Sequence, residues 1–120
     1  MKTLTIVIIC MIATGLLFTP AFAAEDIEKG KELFNDTKFA GATSGMSCNT
    51  CHPNGKGVEK SGDKKEFNIM GKKQNSLEEA VNVCIEMATK GKAIDAMSNQ
   101  MEDIVAYIKS LKRKSQAPGY

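Results

Sequence analysis

Only one histidine, His52, stands in the 120 residues. This chain alone therefore cannot offer two imidazoles to one metal centre. Net charge is small, +2 at neutral pH, so there is no electrostatic case for nucleic-acid binding. No segment alternates apolar and polar residues as a half-buried strand would, and none repeats. No apolar run reaches the roughly 20 residues that a membrane-spanning helix needs. Outside one short segment, no cluster of acids, bases or metal ligands suggests a catalytic centre. These absences favour a small all-α protein.

The longest apolar run, Leu4 to Phe18, is broken only by Thr5, Thr14 and Gly15. Lys2 precedes it, and Ala21-Phe22-Ala23 follows with small residues at the two positions that a signal peptidase reads. Residues 1–23 are thus expected to be a secretory signal peptide, with a retained N-terminal anchor as the alternative. Cys10 lies inside the apolar core after Ile9, where a lipoprotein site would have a small residue. Cleavage after Ala23 leaves residues 24–120 as one domain in the periplasm. The loss of Lys2 lowers the charge to +1. A chain this short buries a modest core and often needs a staple. Three cysteines remain, Cys48, Cys51 and Cys84. An odd number in an exported protein leaves one thiol to be explained.

Three helices are predicted. The first runs from about Asp26 to Phe34, with Ile27, Gly30, Leu33 and Phe34 at helical spacing. The second starts at Ser76, with Glu79 completing a capping-box pattern, and stops at Lys90-Gly91. Its stripe is Leu77, Ala80, Val81, Cys84, Met87 and Ala88. The third starts at Ser98, with Met101, Ile104, Val105, Ile108 and Leu111 on one face. Lys109, Lys112, Arg113 and Lys114 crowd its C-terminal end, where cations suit the helix dipole. The tail from Ser115 to Tyr120, with Pro118-Gly119, is expected to fray. Two long polar loops remain, residues 35–47 and 53–75. A structureless loop of the second's length is unusual in a compact domain, unless it wraps something other than chain.

Cys48-Asn49-Thr50-Cys51-His52 is that short segment. Cys-x-x-Cys-His is the attachment signature of c-type haem. Two cysteines three apart lie near one face of a helical turn, so each sulfur can reach one vinyl group. The adjacent imidazole then becomes the proximal iron ligand. A zinc site from Cys48, Cys51, His52 and Cys84 competes poorly, because adjacent Cys51 and His52 would strain a tetrahedron. A thioredoxin-like pair would need a βαβ context. One covalent haem c with its iron is therefore expected, and it would also serve as the staple.

With that motif in place the chain resembles a class I monohaem cytochrome c. Glu28-Lys29-Gly30-Lys31-Glu32-Leu33-Phe34 is similar to the family's N-terminal helix. Asp103-Ile104-Val105-Ala106-Tyr107-Ile108-Lys109-Ser110-Leu111 is similar to its C-terminal helix. The resemblance implies that these helices cross with Gly30 against Tyr107, in a small all-α fold of three or more helices around the haem. The C-terminal half, Val81-Asn82-Val83-Cys84-Ile85, then Gly91-Lys92-Ala93-Ile94-Asp95, Ser98 and Met101, resembles haem domains of thiosulfate dehydrogenases and sulfur-oxidation cytochromes. There a cysteine at the place of Cys84 is the distal iron ligand.

The sequence departs from the class I pattern in two ways. None of Met46, Met70, Met87, Met97 or Met101 is followed by proline, as the usual distal methionine is. The proline whose carbonyl usually orients the proximal histidine has no counterpart, since Pro53 adjoins His52. The distal ligand therefore remains open between Cys84, with Met87, Met97 and Met70 as alternatives, and an empty sixth position. Cys84 and the methionines also have the simpler reading of core residues. Thioether ligation would raise the reduction potential, and an anionic thiolate would lower it.

Lys56, Lys60, Lys64, Lys65, Lys72 and Lys73 crowd the loop after the motif, diluted by Glu59, Asp63 and Glu66. They form either a solvated surface or a basic rim that steers an acidic redox partner to the haem edge. The expected function is periplasmic electron transfer between redox proteins, without stable membrane insertion or nucleic acid. The alternatives are a haem subunit that oxidises a sulfur compound such as thiosulfate, and a haem-based ligand sensor.

Overall fold

Asp26, Ser76 and Ser98 begin the three long helices, each with its side chain accepting from a backbone N–H in the first turn. Asp26 accepts from Lys29, Ser76 from Glu79 and Ser98 from Met101. The computed structural model describes residues 25–116. The expected signal segment, with Cys10, and the Pro118-Gly119 end lie outside the described residues. The helices are α1 (Ile27–Asn35), the single turn α2 (Cys48–Cys51), α3 (Leu77–Met87) and α4 (Asn99–Ser115). No helix among the described residues is long and apolar enough to cross a membrane. The small all-α fold expected from the sequence is the fold observed.

The capping box at α3 differs from its expected form by one residue. Glu79 Oε2 accepts from the Asn75 N–H at 2.7 Å rather than from Ser76. The helix also stops earlier than Lys90-Gly91, at Met87. Lys90 itself takes a left-handed conformation, φ 58°, and the Gly91 N–H turns back to the Ile85 carbonyl at 2.9 Å.

The loop of residues 53–75 is more ordered than the sequence suggested. Two 3-10 turns, Pro53–Gly55 and Ser61–Asp63, fold its first half. Its second half is a hairpin of β1 (Phe67–Ile69) and β2 (Lys72–Gln74), in register Phe67 to Gln74 and Ile69 to Lys72. Met70 and Gly71, at φ 51° and 77°, form its two-residue turn. The absence of strand pattern was therefore misleading here. Strands of three residues are too short to display a period of two, and Lys72-Lys73-Gln74 contains no apolar residue to mark it.

One core unites the long helices. Phe34 of α1, Leu77, Val81 and Ile85 of α3, and Met101, Ile104, Val105, Tyr107, Ile108 and Leu111 of α4 are buried together with Phe39. The expected crossing of α1 and α4 is present. A Cβ at Gly30 would overlap the Asp103 carbonyl and crowd the Cβ of Tyr107. The Phe34 and Tyr107 rings meet edge to face with centroids 5.2 Å apart, the favoured aromatic arrangement. Buried Asp103 accepts from the Asp26 N–H at 2.8 Å, which sets a carboxylate at the positive end of α1.

Candidate functional site

The site begins with the turn α2. Ser47 and Thr50 form a capping box, with the Ser47 N–H donating to Thr50 Oγ1 at 3.0 Å. This local pairing supports a helix of only four residues that would have little propensity on its own. Cys48 and Cys51 occupy its first and last positions. Cys48 is half-buried and packs on the core, Cys51 is exposed, and both are free thiols. His52 ends the turn, its N–H donating to the Cys48 carbonyl at 3.0 Å.

His52 Nδ1 lies 3.1 Å from the Lys56 carbonyl oxygen. A carbonyl can only accept, so Nδ1 carries the proton and donates. In the neutral ring Nε2 then keeps its lone pair for a metal. The orienting carbonyl that the sequence lacked as a proline is thus supplied by the backbone of Lys56, four residues on. The turn Pro53–Gly55 brings it back, with the Gly55 N–H donating to the His52 carbonyl at 2.8 Å. No side-chain signal could have revealed this, because any residue has a carbonyl.

Cys84, from α3, is the third free thiol and is half-buried. Burial raises its pKa first, and proximity to Cys51 raises it further. The Cys48 thiol is pushed up to about 11, by burial foremost and then by Cys84, partly opposed by a backbone hydrogen bond, with Cys51 adding the least. Cys84 is thus close enough to the Cys48-Cys51 turn for their charges to be felt, although 33 positions separate Cys51 from Cys84 in the sequence. They do not converge as ligands of one small ion. Among the described residues, no group of three or more His, Cys, Asp or Glu side chains is placed to hold a metal ion.

The methionines separate by environment. Met101 is fully buried in the core and packs there, as its stripe suggested. Met87 is half-buried on α3. Met70, at the hairpin turn, and Met97 are exposed, at 65% and 81%. The segment that carries Met97 is tied to α3 by a contact that sequence inspection missed. Asn82 Nδ2 donates to the Ile94 carbonyl at 2.8 Å, and Asn82 Oδ1 accepts from the Ile94 N–H at 2.9 Å. One amide side chain thus pairs both backbone groups of a loop residue. Asn82→Ala is expected to cost about 1–3 kcal/mol, since two partly buried backbone groups lose their partner. Urea denaturation would measure the cost, and faster hydrogen exchange at the Ile94 amide would localise it.

The donor set fits a covalently bound haem. Two free thiols three residues apart on one turn could each form a thioether. The adjoining imidazole has its tautomer fixed with Nε2 available, and apolar Cys48, Val58, Phe67 and Ile94 flank the core as partly buried neighbours. A third free thiol, Cys84, is half-buried on α3.

Comparison with known families found a match to the family described as di-haem cytochrome c peroxidase, over residues 24–116. Comparisons with curated proteins and with solved structures gave no match. This sequence contains one Cys-x-x-Cys-His segment. Because the match takes in the Cys-x-x-Cys-His turn and all the described helices, the chain belongs to the di-haem cytochrome c peroxidase family, whose members bind c-type haem.

Proposed function

We propose that the protein is a periplasmic electron carrier with one haem c, attached through Cys48 and Cys51 and ligated by His52. The observation that carries this reading is the contact of His52 Nδ1 with the Lys56 carbonyl, 3.1 Å away, at the end of the Cys-x-x-Cys turn. When bound, the haem would supply a one-electron couple between ferrous and ferric iron. The two cysteines would anchor it, and His52 would occupy the proximal position through Nε2. The Lys56 carbonyl would hold the imidazole plane and increase its basicity toward iron.

Cys84 is our choice for the distal ligand, supported by its resemblance to the ligating cysteine of sulfur-oxidation cytochromes and by its being a half-buried free thiol on α3. Cys84→Ser is expected to change the ferric absorption spectrum and to raise the reduction potential by on the order of 100 mV, within the roughly 0.8 V that axial ligands span. Met87→Leu and Met97→Leu should leave both unchanged. An unaltered spectrum in Cys84→Ser would reject the assignment.

The family match favours a second reading, reduction of hydrogen peroxide. The two are separable on the haem-loaded protein. A carrier returns its electron to ferricyanide in one step and, when ferrous, resists carbon monoxide at neutral pH. Rapid carbon monoxide binding together with peroxide-dependent oxidation of a dye would favour the enzyme. The likeness of the C-terminal half to sulfur-oxidation cytochromes is tested on the same sample. Failure of thiosulfate to reduce the ferric haem would retire it.

A further inference from the structure

The 3-10 turn Ser61–Asp63 packs against the C-terminal half of α4, with Gly62 so close to Lys109 that a Cβ there would crowd its side chain. This contact joins two basic stretches that are 45 positions apart between Lys64 and Lys109 in the sequence. Between them lies an open groove whose lining includes Gly57, Lys60, Lys64 and Lys112. Exposed Lys109 and Arg113 stand on the same end of α4.

Of the two acids of the groove, one is matched by a lysine of the same lining and the other accepts a backbone hydrogen bond, so the charged lining residues carry a formal net charge of +1. Asp63 pairs with Lys112 at 2.7 Å, and Glu59 accepts from the Gly57 N–H at 2.8 Å. Lys60 and Lys64 have no ion pair among the described residues. The groove also adjoins the proximal ligand. Gly57 lines it, and a Cβ at Gly57 would sit 3.5 Å from His52 Nδ1. A molecule seated in the groove would thus be one glycine away from the imidazole.

We infer that this groove, between the turn Ser61–Asp63 and the end of α4, is a docking site for an acidic redox protein on the His52 side of the haem. The inference rests on the electron-transfer reading and locates its partner surface away from the lysines of the hairpin. Lys73 of that hairpin is paired with Glu66 at 2.8 Å. Among the described residues, the groove is lined by polar and charged groups and glycine, with no apolar side chain. An interfacial membrane contact would bury apolar side chains, whereas transient redox complexes are small and steered by charge. One electron crosses in each encounter, lost by the donor and gained by the acceptor, with no bond made or broken.

The test uses the haem-loaded protein, the double variant Lys60→Glu/Lys64→Glu, and a control, Lys31→Glu/Lys38→Glu, with the same net charge. A polyglutamate peptide serves as the acidic probe. In the parent protein it should shift backbone amide resonances in residues 57–64 and 109–116, and the groove variant should lose these shifts while the control retains them. At low ionic strength, oxidation of the ferrous protein by anionic ferricyanide should slow about fivefold more in the groove variant than in the control. The difference should vanish in high salt. Equal rates in the two variants, or amide shifts elsewhere, would overturn the docking site while leaving electron transfer intact. Binding of anionic phosphatidylglycerol vesicles at the groove without polyglutamate binding would also overturn it, in favour of a membrane contact. Failure of the parent protein to exchange electrons with ferricyanide would instead defeat the functional reading beneath it.

Discussion

Replacing Cys48 and Cys51 together with serine is expected to abolish covalent haem and, with it, most of the folded protein. Serine is close in size to cysteine, so the substitution does not itself crowd or empty the turn α2. Its hydroxyl cannot form the thioether that holds the cofactor. His52 alone would then retain haem as a dissociable ligand, and binding would stabilise the fold only by mass action. The expected domain has only 97 residues, a size at which an added staple often decides whether the chain folds. Acidified acetone should extract all haem from the double variant and none from the parent. Each single variant should keep one thioether. Haem that resists extraction in the double variant would refute the attachment assignment.

Gly30→Ala should be the most damaging single-methyl change elsewhere in the chain. Taken alone, α1 would gain about 1 kcal/mol from the better helix former. The added Cβ, however, would overlap the carbonyl oxygen of Asp103, and backbone cannot rotate aside as a side chain can. The helices must move apart, loosening the Phe34–Tyr107 contact and the bond from the Asp26 N–H to Asp103. Overpacking of this kind costs about 3 kcal/mol at its upper range, leaving a net loss of about 2 kcal/mol. For a domain of this size that lowers the melting temperature by about 10 °C. Lys31→Ala, on the exposed face of the same helix, is the control and should be close to neutral. Equal stability of the two variants would mean that α1 and α4 do not depend on close approach at Gly30.

The readable parts of the site share a property: their chemistry depends on residues adjacent in the chain. Cys48, Cys51 and His52 announce themselves because a single helical turn must present all three. Cys84 drew notice through the cysteine count, which says nothing of where its sulfur lies. The Lys56 carbonyl carries no residue signature. Asn82 reads as an ordinary polar position on α3, because its importance lies in the backbone of Ile94, twelve residues away.

By itself the sequence determined the all-α class, the starts of the three long helices and the Cys-x-x-Cys-His motif, while its resemblance to class I cytochromes c implied the crossing partners Gly30 and Tyr107. The first three follow from local periodicity, from caps that act within one turn, and from residues adjacent in the chain. The tertiary structure alone decided what non-local contacts decide. It folded residues 53–75 into turns and a hairpin, gave His52 its orienting carbonyl, and brought Cys84 toward the attachment cysteines. It also set the loop lysines against the end of α4. Each of these depends on backbone groups or on charges that meet only after the chain has closed, and neither leaves a pattern along the sequence.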